Sequence, residues 1–103
     1  MLLVVGRVRC RPEQRDALIA LMERMQEESR REDGCLRYGF FAAVEDGSSF
    51  IAVEEWADRA ALDAPFAQPH LQAFARGLFE LVDGPPEVAI HEVAGTSPFP
   101  GSV

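Results

Sequence analysis

The sequence predicts an α+β domain with the element order β-α-β-β-α-β. Four short segments are rich in Val, Ile, Phe, Tyr and Trp and alternate with the period of a β-strand. Two longer segments repeat apolar residues at helical spacing, and turns that contain glycine or proline separate the segments. Right-handed crossovers would place both helices on one face of a four-stranded antiparallel sheet.

The first strand and the first helix are predicted from residues 2–34. Leu2–Cys10 is a strand whose first half is apolar on both faces. Arg11-Pro12-Glu13 begins a helix, because proline suits the first turn and an acidic residue suits the positive end of the helix dipole. Asp33-Gly34 ends it, with Gly34 as a left-handed cap. The apolar face of this helix consists of Leu18, Leu21, Met22 and Met25.

A hairpin is predicted next. Cys35–Val44 is a strand, with Leu36 on the same face as Tyr38, and the turn Glu45–Ser48 leads into the strand Phe50–Trp56. This second strand also carries apolar residues on both faces. One face holds Phe50, Ala52, Glu54 and Trp56, and the other holds Ile51, Val53 and Glu55.

The second helical segment is predicted in two pieces. Asp58 caps a short helix that Pro65 interrupts, and Gln68-Pro69 starts a longer one. Its apolar stripe consists of Leu71, Phe74, Ala75, Leu78, Phe79 and Val82. Asp83–Pro86 ends this helix and Glu87–Val93 is the last strand. We therefore expect a domain over residues 1–94 and a tail over residues 95–103.

The predicted topology is the ferredoxin-like split βαβ arrangement, and it leaves one apolar sheet face uncovered. Leaving several large side chains in water would forfeit many kcal/mol, whereas a domain has a net stability of only ~5–15 kcal/mol. We therefore predict a C2 homodimer in which the tail, with Phe99, packs on the partner. The first two strands run parallel, so Cys10 and Cys35 lie about 25 Å apart and should be free thiols.

Composition excludes several functional classes. At 103 residues with a formal charge of −7, the chain is one small domain that lacks the basic surface of a nucleic-acid binder. No apolar run approaches ~20 residues, so we expect no membrane span. The short apolar start, Met1–Val5, does not have the features of a signal peptide, and we expect a cytoplasmic protein.

Three motifs indicate a family. With the turn and strand Asp33–Tyr38, the run Glu54–Leu62 and the helix start Pro69–Leu71, the chain resembles the antibiotic biosynthesis monooxygenase (ABM) domain family over roughly residues 2–93. The resemblance implies a dimeric α+β barrel. Some members oxygenate quinols or polyketide anthrones without metal or flavin, some degrade haem, and many have no established reaction.

The resemblance also implies site residues. Glu54 and Trp56 match the family's Glu-x-Trp, Tyr38 matches the aromatic residue after the glycine turn, and His70 matches its Pro-His. One departure is Pro65, which stands where many members have a histidine.

The haem-degrading branch is poorly matched. Arg7 stands near the position of that branch's catalytic asparagine, and Ala75 stands where its proximal histidine belongs. We therefore expect neither haem nor another cofactor, and no metal site.

The expected catalytic residues are His70, Trp56 and Tyr38. A cofactor-free oxygenase needs an apolar cavity, a base and a donor for the developing oxyanion. His70, at the start of a helix, is the leading base or donor, because the helix dipole favours a neutral imidazole. The alternative is that His70 packs on Phe74, that Trp56 belongs to the core and that Tyr38 is a core or interface residue.

The expected substrate-binding residues are Glu54, Arg37 and Phe74. Glu54 is either a buried acid with a raised pKa or, as we favour, the ion-pair partner of an arginine such as Arg37. Two functional hypotheses follow. The first is a cofactor-independent monooxygenase acting on a quinol-like or polycyclic aromatic substrate, and the second is a non-catalytic ligand-binding or structural dimer.

Overall fold

Residues 1–100 are described by a computed structural model of the protein, and their element order confirms the predicted fold class. The sheet order is β2-β3-β1-β4, and all neighbouring strands are antiparallel. The strands are β1 (Leu2–Arg9), β2 (Cys35–Ala42), β3 (Ser49–Trp56) and β4 (Glu87–Glu92). The α-helices are α1 (Arg15–Ser29), α2 (Arg59–Asp63) and α3 (Pro69–Leu81), and two 3-10 turns cover Pro12–Gln14 and Ala64–Ala67.

Helix α1 provides the main apolar contact of the sheet. All four residues of the predicted stripe are buried, and Leu18 has no exposed surface. The α-helix begins later than predicted, at Arg15, because Pro12–Gln14 forms a 3-10 turn. Met25 packs with Leu2 and Val4 of β1. The periodicity of α1 therefore predicted its buried face correctly.

The turn between α1 and β2 depends on Gly34. Its φ of +81° lies in the left-handed region that favours glycine. The Ala57 amide donates a hydrogen bond of 2.8 Å to the Gly34 carbonyl and joins this turn to the end of β3. Cys10 and Cys35 are both free, as predicted, and β1 and β2 are parallel because both pair antiparallel with β3.

Strand β3 places its two faces in different environments. Phe50, Ala52 and Trp56 are buried under the helices, whereas Ile51 and Val53 are half-buried on the opposite face. We call that opposite side of the sheet the open face.

A bulge in β2 changes the environment of Leu36. It lies between Cys35 and Arg37, and Cys35 rather than Leu36 is the partner of Trp56 in the register. Leu36, predicted to share the face of Tyr38, is therefore 55% exposed.

Helix α2 begins as predicted, because the Ala61 amide donates a hydrogen bond of 2.9 Å to Asp58 Oδ1. Helix α3 is less covered than its stripe predicted. None of its residues is fully buried, and Phe79 is 73% exposed. Only part of the apolar stripe of α3 contacts the rest of the chain, and the remaining residues of the stripe stay exposed.

The tail leaves the sheet beside the start of β1. The Val93 amide donates a hydrogen bond to the Met1 carbonyl, and Phe99 is 98% exposed. The predicted tail also includes residues 101–103, which lie outside the described part. Within residues 1–100, no helix has the length and apolar character needed to span a bilayer.

Candidate functional site

Three polar or aromatic side chains lie together between the sheet and the helices: Tyr38, Glu54 and Trp56. We call them the interior cluster. Glu54 and Trp56 are two residues apart on β3 and therefore share a face. The indole Nε1–H of Trp56 donates a hydrogen bond of 2.9 Å to Glu54 Oε1. Trp56 is 2% exposed and Glu54 is half-buried, so the indole lies in the apolar core and the carboxylate lies at its edge.

Glu54 is a half-buried acid that has no ion pair within residues 1–100. Burial raises its pKa from the ordinary value of 4.5, and the hydrogen bond from Trp56 opposes this in part. The expected ion pair with Arg37 is wrong. Arg37 points to the open face, is 80% exposed in its side chain, and contacts Glu55 at 3.5 Å. Adjacent residues of a strand face opposite sides, so Glu55 rather than Glu54 meets the arginine.

Tyr38 is the second polar group of the interior cluster. Its ring makes edge-to-face contacts with Trp56 at 6.4 Å and with Phe40 at 5.6 Å between ring centroids. Burial, and then the charge of Glu54, raise the pKa of Tyr38. The phenol is therefore a neutral hydrogen-bond donor at physiological pH. The nearby Ser29 hydroxyl acts in the opposite direction and lowers the pKa of Tyr38. Within residues 1–100, the Ser29 Oγ atom has no hydrogen-bond partner of acceptable geometry.

His70 lies in a separate groove of about 390 Å³ between α1 and α3. Its Nε2 atom is 3.4 Å from Glu32 Oε1, and both side chains are about one-fifth exposed, at 22% and 21%. The distance allows an ion pair, but the angles do not meet those of a hydrogen bond, and within residues 1–100 Nε2 has no hydrogen-bond partner. The contact is an ion pair only when the imidazole of His70 carries a second proton.

Met25 and Phe74 separate the groove of His70 from the interior cluster. Both side chains line that groove, and both pack with the core that contains Trp56. The groove that His70 lines does not reach Trp56, which is 2% exposed. Met25 and Phe74, which pack against the core that contains Trp56, fill the space between them.

The structure brings together only part of the predicted site. Tyr38, Glu54 and Trp56 form one cluster, Phe74 lies at its edge, His70 lies across Phe74, and Arg37 is on the opposite side of the sheet. The sequence analysis missed Ser29 and Glu32. Ser29 continues the buried stripe of α1, four residues after Met25, so the periodicity could have revealed it. No local signal predicts Glu32, because its contact with His70 is long-range.

A larger groove of about 550 Å³ lies at the other end of the sheet. It is lined by residues of Arg7–Arg9, Ser49–Ile51 and the turn Asp83–Pro85, and it contains none of the predicted site residues. Within residues 1–100, no group of three or more His, Cys, Asp or Glu side chains is arranged to hold a metal ion.

The fold and the interior cluster define the class: a ferredoxin-like α+β domain with a half-buried carboxylate that accepts a hydrogen bond from a core tryptophan. The sequence profile described as "Antibiotic biosynthesis monooxygenase" matches residues 1–77. The chain belongs to the antibiotic biosynthesis monooxygenase family.

Individual relatives agree with this assignment. The chain is 34% identical over 95 residues to the uncharacterized protein sll1783 of Synechocystis, covering 92% of this chain but only 65% of that relative's length. It is 33% identical over 87 residues to Rv0793 of Mycobacterium tuberculosis, named a candidate monooxygenase, covering 84% of this chain and 85% of the relative.

The solved structure of Rv0793 superposes with a TM-score of 0.87 at 29% identity and covers 94% of this chain and 98% of that one. A structure from Deinococcus radiodurans has a TM-score of 0.90 at 22% identity, covers 96% and 98% of the two chains, and supports the fold alone.

Proposed function

We propose that this chain is a monooxygenase that uses O2 to oxidise an electron-rich aromatic substrate of the quinol or anthrone type. The observation that carries the proposal is Glu54, a half-buried carboxylate that, within residues 1–100, has no ion pair and one hydrogen bond, from Trp56. An unpaired buried charge costs free energy, and perturbed acids of this kind concentrate at functional sites. Membership of the ABM family and the name of the Mycobacterium tuberculosis relative support the same activity.

The chemistry requires no electron donor other than the substrate. Removing a proton from an anthrone leaves an enolate, which can reduce O2 directly. One oxygen atom replaces the two hydrogens of the substrate methylene and forms a carbonyl, and the other leaves as water with both hydrogens. The protein then needs a base, an apolar chamber and a donor to the enolate oxygen. The neutral phenol of Tyr38 is suited to be that donor, and Trp56 to be the wall of the chamber.

The substrate route in this proposal is the groove between α1 and α3. Met25 and Phe74 form its floor, and rotation of these two side chains would join the groove to the interior cluster. Met25 is 4% exposed and packs in the core, so contacts with the substrate would have to replace the packing that this movement disrupts. The flexible methionine side chain and the incomplete burial of α3 favour such a movement. His70, paired with Glu32, would contact the substrate at the rim.

Oxygen uptake with a panel of hydroquinones and anthrones tests the activity. We expect one O2 consumed for each anthrone converted to the quinone. Phe74→Ala should change KM because it widens the passage, whereas Phe79→Ala is the matched control on the exposed side of the same helix. An absence of turnover across the panel would refute the proposal.

The filled interior favours a second candidate function, a non-catalytic ligand-binding dimer. In that case Tyr38 and Trp56 only pack the core, and ligands bind in the groove of about 550 Å³ at the other end of the sheet. The apolar residues Phe50 and Ile51 in that groove would contact a small aromatic ligand. Binding of a fluorescent aromatic probe that survives Trp56→Phe but is lost in Pro85→Glu, which places a charge in the turn that lines this groove, would support this function over the first.

A homodimer through the open face is part of both functions. Ile51 and Val53 are only half-buried there, and Phe41 is 57% exposed, so a second copy would remove apolar surface from water. We also propose that the tail, including Phe99, packs on the partner. Sedimentation should show a dimer at micromolar concentration that Val53→Arg dissociates. Val44→Arg, in the fully exposed hairpin loop, is the control and should remain dimeric.

A further inference from the structure

We propose that Glu54, rather than His70, is the group that removes the substrate proton. This inference rests on the proposed function, because it assigns a residue of the interior cluster to the first chemical step. In that step the substrate C–H bond breaks, an O–H bond forms on Glu54, and the electron pair stays on the substrate as an enolate. The proton then leaves with the water formed from the second atom of O2.

The geometry of Glu54 suits a base. One carboxylate oxygen, Oε1, is held by the Trp56 indole at 2.9 Å, which orients the carboxylate. The other oxygen, Oε2, receives no hydrogen bond from residues 1–100 and keeps some exposed surface, so it is free to accept a proton. In this proposal the Tyr38 phenol, whose ring contacts Trp56, donates to the enolate oxygen as negative charge develops there. A base and a donor thus lie beside one another in the same apolar interior.

No cation competes for the Glu54 carboxylate in the described part of the chain. Residues from each surrounding element pack with this cluster or influence its charges: Tyr38 and Cys35 of β2, Ser29 and Met25 of α1, Val4 of β1, and Leu62 of α2. None of these six residues is basic, and no arginine or histidine in residues 1–100 forms an ion pair with the Glu54 carboxylate. Arg30 of α1 also faces this region: its Nε donates a hydrogen bond of 2.9 Å to the Tyr38 carbonyl, and its charge acts on Cys35. Burial in this setting raises the pKa of Glu54 and so makes it a stronger base than an exposed carboxylate.

His70 is less suited to the same role. Its Nε2 atom is 3.4 Å from Glu32, a competing carboxylate. Phe74 and Met25 also separate its ring from Trp56 and Tyr38. A base must lie within about 3 Å of the atom whose proton it removes. Glu54 is oriented by Trp56 and shares the interior cluster with the donor Tyr38, whereas His70 lies outside that cluster.

Deuterium exchange tests this assignment without requiring oxidation. Anthrone is incubated anaerobically with the protein in D2O, and loss of its methylene proton signal is followed by NMR against buffer alone. Glu54→Gln should reduce the protein-catalysed exchange rate about 100-fold or more. Glutamine still accepts the Trp56 hydrogen bond, so this variant should fold, which circular dichroism checks. Glu55→Gln removes the same charge one residue away on the open face and should leave the rate unchanged.

The outcomes separate the two proposals. Unchanged exchange in Glu54→Gln, or no exchange catalysed by the unmodified protein, overturns the assignment of Glu54. Loss of exchange in His70→Ala together with full exchange in Glu54→Gln overturns it in favour of His70. Exchange that depends on Glu54 but is followed by no oxidation in air supports the base and refutes the monooxygenase. Oxidation in air at the full rate in Glu54→Gln supports the monooxygenase and refutes Glu54 as the base.

Discussion

Replacing Gly34 with alanine should destabilise the domain more than the same replacement at Gly84. Both glycines have positive φ, +81° and +89°, so each alanine is strained by about 1–2 kcal/mol. Only at Gly34 would the new methyl group also meet another atom. A Cβ there would lie 2.5 Å from the Cβ of Ala61, whereas nothing lies within 4 Å at Gly84.

The steric contact adds to the backbone strain. Forcing a methyl group into a packed site typically costs about 1–3 kcal/mol. Gly34→Ala should therefore lower the free energy of unfolding by about 2–5 kcal/mol, and Gly84→Ala by about 1–2 kcal/mol. Since a domain of this size has a stability of about 5–15 kcal/mol, the difference between the variants is readily measured.

Urea unfolding followed by circular dichroism gives both values, with the protein concentration held constant because association would add to stability. Ala61→Gly provides a second comparison, because it removes the atom that the Gly34→Ala methyl group would meet. In the Ala61→Gly background, Gly34→Ala should lower the free energy of unfolding by about 1–3 kcal/mol less than it does in the unmodified protein. Equal destabilisation at Gly34 and Gly84, or an unchanged cost in the Ala61→Gly background, would refute the close packing of this turn on α2.

Three further predictions follow from individual contacts. Burial raises the pKa of Glu54 above 4.5, so its contribution to stability is fully present below about pH 4.5 and is lost as pH rises through the folded-state pKa. Glu54→Gln should therefore gain stability relative to the unmodified protein between pH 4.5 and neutral pH. Urea midpoints that change with pH in the same way for both proteins would contradict this. Asp58→Ala should lower the free energy of unfolding, measured with urea, by about 1 kcal/mol, because it removes the N-terminal cap of α2. An unchanged free energy of unfolding would argue against the hydrogen bond from the Ala61 amide to Asp58. A thiol reagent should modify Cys35 before Cys10, which is 3% exposed and should react only after denaturation; equal rates in the folded protein would contradict the burial of Cys10.

Much of the fold could be predicted from local patterns. Element order follows from periodicity and turn residues, and the family motifs at Glu54, Trp56 and His70 follow from spacing. The buried stripe of α1 is correct, because a regular helix presents residues three and four apart to the same neighbour. The Asp58 cap is correct because capping involves only adjacent residues.

The parts that could not be predicted depend on contacts between distant residues. Glu54 and Glu55 are alike in sequence, yet one is half-buried beside Trp56 and the other meets Arg37. The bulge that exposes Leu36 arises from the register between β2 and β3, which the alternation within one strand does not specify.

The sequence by itself determined the order of strands and helices and the family to which the chain belongs, because these depend on residue type and spacing along the chain. Only the tertiary structure decided that Tyr38, Glu54 and Trp56 form one interior cluster while Met25 and Phe74 separate it from His70. The reason is physical: burial and long-range packing set the environment of a charge, and neither is a property of the local sequence.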